Sequence, residues 1–146
     1  MASGECKLKV KSSKVGSLLV VEDNPAMVEM LVDVLRREYV IAGTVSEGAS
    51  VVSTAEAVNP DVILLDISLG DMSGFDVARR LRKSGCTAKI VFVSVHENQD
   101  FVRAAFELGA SGYVFKSQIS PDLLLALKAV SHGEHFLPTG FTPQPD

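Results

Sequence analysis

A three-layer α/β sandwich built on a parallel sheet is the fold class that this 146-residue chain predicts, and three observations carry it. Short apolar runs alternate with amphipathic stretches along most of the sequence, the pattern of repeated strand–helix units. The runs are apolar at successive positions, as parallel strands covered on both faces are. Four of the five runs are followed at once by a residue able to do chemistry, Glu22, Asp66, Ser94 and Lys116.

Each element can be justified in order. Leu18-Leu19-Val20-Val21 is a compact first strand, and Pro25 then suits a helix's first turn. Met27, Val28, Leu31, Val34 and Leu35 recur at helical spacing behind it. Tyr39 to Ala42 is the second strand and Glu47 to Val58 the second helix. Val62-Ile63-Leu64-Leu65 is strand three, and Phe75 to Lys83 is helix three, ended near Gly85. Ile90-Val91-Phe92-Val93 is strand four, and Asp100 to Leu108 is helix four, ended at Gly109. Tyr113-Val114-Phe115 is a short fifth strand. Ser120 and Pro121 then provide the cap and first turn of a last helix through Leu123, Leu124, Leu127 and Val130. Right-handed crossovers put helices on both sides of the sheet. For five strands the natural solution is a flavodoxin-like (βα)5 sandwich with strand order 2-1-3-4-5.

The bulk composition sets limits. The length suits one domain, and 47% hydrophobic with 22% charged residues is ordinary for a globular chain. A net charge of -4 gives no nucleic-acid footprint. No apolar run approaches the roughly 18 residues of a membrane span, so no membrane partner is expected. Met1 to Gly16 carries Lys7, Lys9, Lys11 and Lys14 without an apolar centre, unlike a secretory signal. Cys6 and Cys86 are too few for a disulfide framework or a zinc site, and reduced thiols in the cytoplasm are expected. The expected division is a flexible basic tail over 1–16, a folded domain over 17–137, and a linker start or tail over 138–146. Pro138, Gly140, Pro143 and Pro145 mark that last stretch.

The chemistry lies at the strand ends. Glu22-Asp23, Asp66, Ser94 and Lys116 each follow an apolar run, and in open parallel sheets the carboxyl ends of the strands converge on one crevice. Three carboxylates crowded there repel one another unless a cation relieves them. Mg²⁺ suits such a set, because it takes oxygen ligands and keeps room for phosphate, with Mn²⁺ as an alternative occupant. An Asp carboxylate is a competent nucleophile toward phosphorus. Lys116 offers a positive point charge and Ser94 a hydroxyl for the transferred oxygens.

The order Glu22-Asp23, Asp66, Ser94, Lys116 resembles the bacterial response-regulator receiver family of two-component signalling. So do the stretches Val62 to Ile67 and Gly109 to Lys116, and the likeness runs from about Ser17 to Leu137. The resemblance implies that Asp66 is the phosphoacceptor, and that Glu22, Asp23, Asp66 and the Ser68 backbone carbonyl hold Mg²⁺. It makes Ser94 the hydroxyl that moves onto the phosphoryl group, Tyr113 the aromatic switch and Lys116 the counter-charge. It implies a signalling switch rather than a turnover enzyme, fed by a histidine kinase or phosphotransfer protein and read at the surface of helix four, strand five and helix five. The run Leu123 to Val130, then Gly133 and Phe136-Leu137-Pro138, looks like the last receiver helix and exit of LuxR-type transcription regulators. In those, DNA is bound by a further output domain, which the chain as given does not reach, so an excised receiver is expected rather than a stand-alone one. Pairing into a homodimer is a further expectation.

The likeness has departures. Gly70 stands where the family usually has proline, which makes the loop Leu69 to Gly74 more flexible by expectation. Val95 stands where a smaller residue is usual and is expected to narrow access to Asp66. Ser68 and His96 occupy positions that in the family tune dephosphorylation, although a solvent-facing loop histidine is the plainer reading of His96. Asp33, Asp61, Asp71 and Asp76 are read as surface, capping or loop charges, His132, Glu134 and His135 as exposed, and Met27, Met30 and Met72 as packing residues. Three rivals remain in view. A haloacid-dehalogenase-like phosphatase wants a second Asp where Ser68 stands. A degenerate receiver is opposed by the intact pocket. A nucleotide-binding domain lacks both a P-loop and a G-x-G-x-x-G after strand one.

Overall fold

The computed structural model describes residues 15–138 together with 140 and 141. Cys6, the four amino-terminal lysines, Pro143 and Pro145 lie outside the described residues. The elements run β1 (Gly16–Val21), α1 (Pro25–Leu35), β2 (Tyr39–Val45), α2 (Val51–Val58), β3 (Val62–Leu65) and α3 (Gly74–Lys83). They continue with β4 (Lys89–Ser94), α4 (Gln99–Glu107), β5 (Gly112–Phe115) and α5 (Ile119–Ser131). A 3-10 turn, Gly48–Ser50, leads into α2, and a second, Lys116–Gln118, follows β5. The strands are all parallel in the order β2-β1-β3-β4-β5, as the sequence predicts.

Alternation along the strands sorts the core into two layers. Leu19, Val21, Ile63, Leu65, Ile90 and Phe92 face α2, α3 and α4. Leu18, Val20, Val62, Leu64, Val91 and Val93 face α1 and α5. The central strands β3 and β4 are buried on both faces, which is why they read as unbroken apolar runs. The edge strand β2 departs from that expectation, with Val40 48% exposed. Met30 also departs from the packing role expected of it, lying exposed beside Val34 on α1.

β5 lies at the other end of the sheet order but is fully buried. The chain after α5 returns to it: Phe136 N–H donates to Ser111 O at 2.9 Å, and Tyr113 N–H donates to Phe136 O at 3.2 Å. This parallel bridge between Gly112 and Phe136 occupies backbone groups that an open edge leaves unpaired.

Local signals end the elements. The Asn24 side-chain oxygen accepts from Ala26 and Met27 N–H at 2.9 and 3.2 Å, with Pro25 at the first turn of α1. Gly85 and Gly109 close α3 and α4 at φ of 90° and 93°, where a side chain is disfavoured. The guanidinium of Arg82 ties those two ends together, donating to Cys86 O, Ala88 O and Gly109 O. Ser120 is extended (φ -104°, ψ 108°), so the regular turns of α5 start at Pro121, where the sequence places them. Among the described residues no helix is long and apolar enough to cross a membrane.

Candidate functional site

The predicted residues converge at the carboxyl edge of the sheet. Glu22 and Asp23 follow β1, and the ladder continues past the strand, with Glu22 N–H donating to Val45 O and Asp66 N–H to Val21 O. This pins Glu22 and Asp66 in the interior, both almost fully buried, while Asp23 is exposed. Gly74 lets the next helix close in behind Asp66, because a Cβ there would run into the Asp66 carbonyl oxygen. Ligand oxygens of Glu22, Asp23 and Asp66 lie within 4.8 Å of one another.

Lys116, at the turn after β5, supplies the positive charge. Its Nζ lies 2.9 Å from Glu22 Oε1 and 3.2 Å from Asp66 Oδ2. Burial pushes the Glu22 carboxyl above its usual range, the Asp66 charge adds to this, and Lys116 opposes it. Burial pulls the Lys116 ammonium down, but the Glu22 and Asp66 carboxylates outweigh it and leave the amine raised. Glu22 Oε1 is buried against that ammonium. Three clustered carboxylates, two of them against the Lys116 ammonium and the third, Asp23, open to solvent, fit a hard divalent cation such as Mg²⁺.

The two residues expected to form a switch, Ser94 and Tyr113, both meet the loop at His96. Ser94, fully buried at the end of β4, accepts from His96 N–H at 3.0 Å. Tyr113 is also fully buried, and its hydroxyl donates to His96 O at 2.7 Å. The ring therefore lies inward, packed in the core. It touches Phe115 edge-on at 5.8 Å and lies 6.2 Å from Phe92.

His96 corrects the plainer reading of it. The imidazole is half-buried, stacked on Phe101 of α4 at 4.2 Å and 9°, and Nε2 lies 2.9 Å from Ser68 Oγ. Ser68 N–H in turn donates to Asp66 Oδ1 at 3.2 Å, so a short polar chain joins the nucleophile candidate to α4. Next to it, Ser117 Oγ donates to Glu97 Oε2 at 2.6 Å. Val95 turns to solvent, 61% exposed. His132 and His135 are exposed, one against Lys128 O and the other beside Phe106, as expected.

Comparisons with known proteins place the chain in a family. Residues 18–128 match the response regulator receiver domain. The chain belongs to that family. It is 32% identical over 130 residues to the nitrate/nitrite response regulator protein NarL of Escherichia coli K12, covering 87% of this chain and 60% of the relative. It is 34% identical over 119 residues to NarP of the same organism, covering 80% and 55%. The chain thus spans about three-fifths of the length of such curated relatives. Among solved structures it resembles a LuxR-family response regulator from Aurantimonas sp. SI85-9A1, with a TM-score of 0.80 and 26% identity over 84% of this chain and 89% of that one. It also resembles the signal receiver domain of the putative response regulator NarL from Mycobacterium tuberculosis, with a TM-score of 0.76 and 25% identity over 83% and 99%. The family is that of the sequence resemblance, and the receiver is of the NarL/LuxR type.

Proposed function

We propose that the chain accepts a phosphoryl group on Asp66 with Mg²⁺ bound, and that this receiver thereby controls an output that regulates transcription. The observation that supports the reading is the buried Asp66 carboxylate at the end of β3, with Glu22 and Asp23 oxygens within 4.8 Å and Lys116 Nζ at 3.2 Å. One Asp66 oxygen attacks phosphorus in line. A P–O bond forms on Asp66, and the bond from phosphorus to the donor imidazole nitrogen breaks, its electron pair leaving with the donor. Glu22, Asp23, Asp66 and the Ser68 carbonyl would hold Mg²⁺, which when bound neutralises charge on the phosphoryl oxygens. Lys116 meets one such oxygen and the Ser94 hydroxyl another, which draws on the Ser94–His96–Tyr113 unit. Phosphorylation biases an existing equilibrium, with Tyr113 inward as its favoured arm.

The donor is a histidine kinase or a phosphotransfer protein, and the setting is the cytoplasm. DNA is reached through an output domain, with a homodimer as the paired state. The chain undergoes its own phosphorylation and dephosphorylation and turns over no external substrate. The test is incubation with acetyl phosphate and Mg²⁺, read by intact mass beside Asp66→Asn. A single phosphoryl adduct that needs both Mg²⁺ and Asp66 is expected. A folded wild-type chain that takes none would make it a degenerate receiver.

A further inference from the structure

Gly70 leaves the loop between β3 and α3 without the stiffness a proline would give it, yet the same loop carries Ser68 past the acidic pocket. Its two ends are well held. Gly74 N–H donates to Ile67 O at 2.7 Å, Ser68 and Ser73 form a β-bridge, and Ser73 Oγ caps α3 at Phe75 N–H. The tip is held differently. Asp71 sends its carboxylate across to the 3-10 turn before α2, accepting from Gly48 N–H at 2.8 Å on Oδ1 and from Ala49 N–H at 3.0 Å on Oδ2.

We propose that Asp71 is a positioning residue for the metal site, clamping the tip of the β3–α3 loop to the Gly48–Ala49 amides so that Asp66 and Ser68 are presented in one geometry despite Gly70.

Two successive amides gripped by the two oxygens of one carboxylate fix direction as well as distance. Leu69 and Met72 also pack at the tip, but apolar contact is non-directional and does not set register. The receiving turn is shaped for the clamp. A Cβ on Gly48 would collide with Met72 Cγ and stand 2.9 Å from Met72 Sδ and Val77 Cγ2, so the loop seats directly on bare backbone there. The tip also reaches the metal ligands, since the Cβ position of Gly70 lies 3.7 Å from Asp23 Oδ2. The two amides hold the Asp71 carboxyl below its ordinary range, as a carboxylate used as a clamp requires.

This inference rests on the proposed Mg²⁺ site, and its test separates the two. Mg²⁺ affinity is measured by calorimetry on wild type, Asp71→Ala, Asp71→Asn and the double variant Gly70→Pro/Asp71→Ala. Amide hydrogen exchange across residues 67–73 is followed in the metal-free chains. Asp71→Ala is expected to bind Mg²⁺ about tenfold more weakly, the usual cost of losing an outer support of a ligand, and to exchange faster at Leu69 to Met72. Asp71→Asn keeps one acceptor and falls between. Gly70→Pro is expected to restore most of the affinity by stiffening the loop from within, a rescue that a merely structural role for Asp71 does not produce. Wild-type affinity in Asp71→Ala, or a double variant no tighter than the single one, overturns the clamp. No Mg²⁺ binding by wild type overturns the site reading and the clamp with it.

Discussion

At the scale of the residue, what a buried polar group reaches sets what it can do. Tyr113 and Tyr39 are both buried phenols at strand positions, but the Tyr113 hydroxyl donates to the His96 carbonyl, two residues past Ser94, which supports the switch role proposed for it. Burial pushes the Tyr113 phenol up to about 12 from an ordinary 10, with the Asp66 and Glu97 charges adding and the Ser94 hydroxyl opposing. The folded chain therefore keeps the phenol protonated where the unfolded chain ionises it. The resulting stability is fully present below pH 10 and is lost as pH rises toward about 12. Urea unfolding of the metal-free chain between those values is expected to show a falling midpoint, and Tyr113→Phe to flatten that fall. Residues that act at strand ends were readable from sequence, because an apolar run that stops at Asp66 or Lys116 marks both the strand and its polar terminus. Asp71 was not readable as a clamp, since its partners lie more than twenty residues back in a turn that has no periodicity. The His96 ring was missed for a related reason: its stack on Phe101 depends on how α4 leaves the loop.

At the scale of the element, caps and closures fix where each polar residue lands. α1 begins directly after Glu22-Asp23, so the Asn24 cap sets both the helix start and the path of the backbone at the acidic cluster, with Glu22 Oε2 accepting from Asn24 N–H at 3.1 Å. Asn24→Ala is expected to lower stability by about 1 kcal/mol, read as a reduced denaturation midpoint with an unchanged m-value. Helix and strand identities followed from spacing, and the limits moved where tertiary contacts intervene. β2 runs on to Val45 because β1 continues to pair with it, and the second helix starts as a 3-10 turn where Asp71 grips its first amides. Arg82 is a further case. It lies within α3, and the meeting of two helix ends gives its guanidinium three carbonyls to fill.

At the scale of the whole molecule, the pocket is assembled from segments that follow β1, β3, β4 and β5, so it exists only while the sheet does. A cation that binds this folded arrangement and not the open chain must stabilise the fold. Melting the chain in excess Mg²⁺ and again in EDTA is expected to show a higher midpoint with the metal, worth about 2.7 kcal/mol at a hundred times Kd. An Asp23→Ala chain is expected to lose most of that difference. The strand order was legible because crossover handedness leaves few solutions for five parallel strands. The return of Phe136 to β5 was not, because one aromatic residue after a helix carries no strand signal.

That return gives the carboxyl-terminal exit a fixed anchorage. The backbone N–H of Tyr113 holds Phe136 O, while its hydroxyl, on the same residue, holds the His96 carbonyl. One residue is thus a rivet through two plates, the loop beside the acidic pocket and the strand from which the chain departs toward Pro138. A shift of the Tyr113 backbone is therefore expected to be felt at both plates at once.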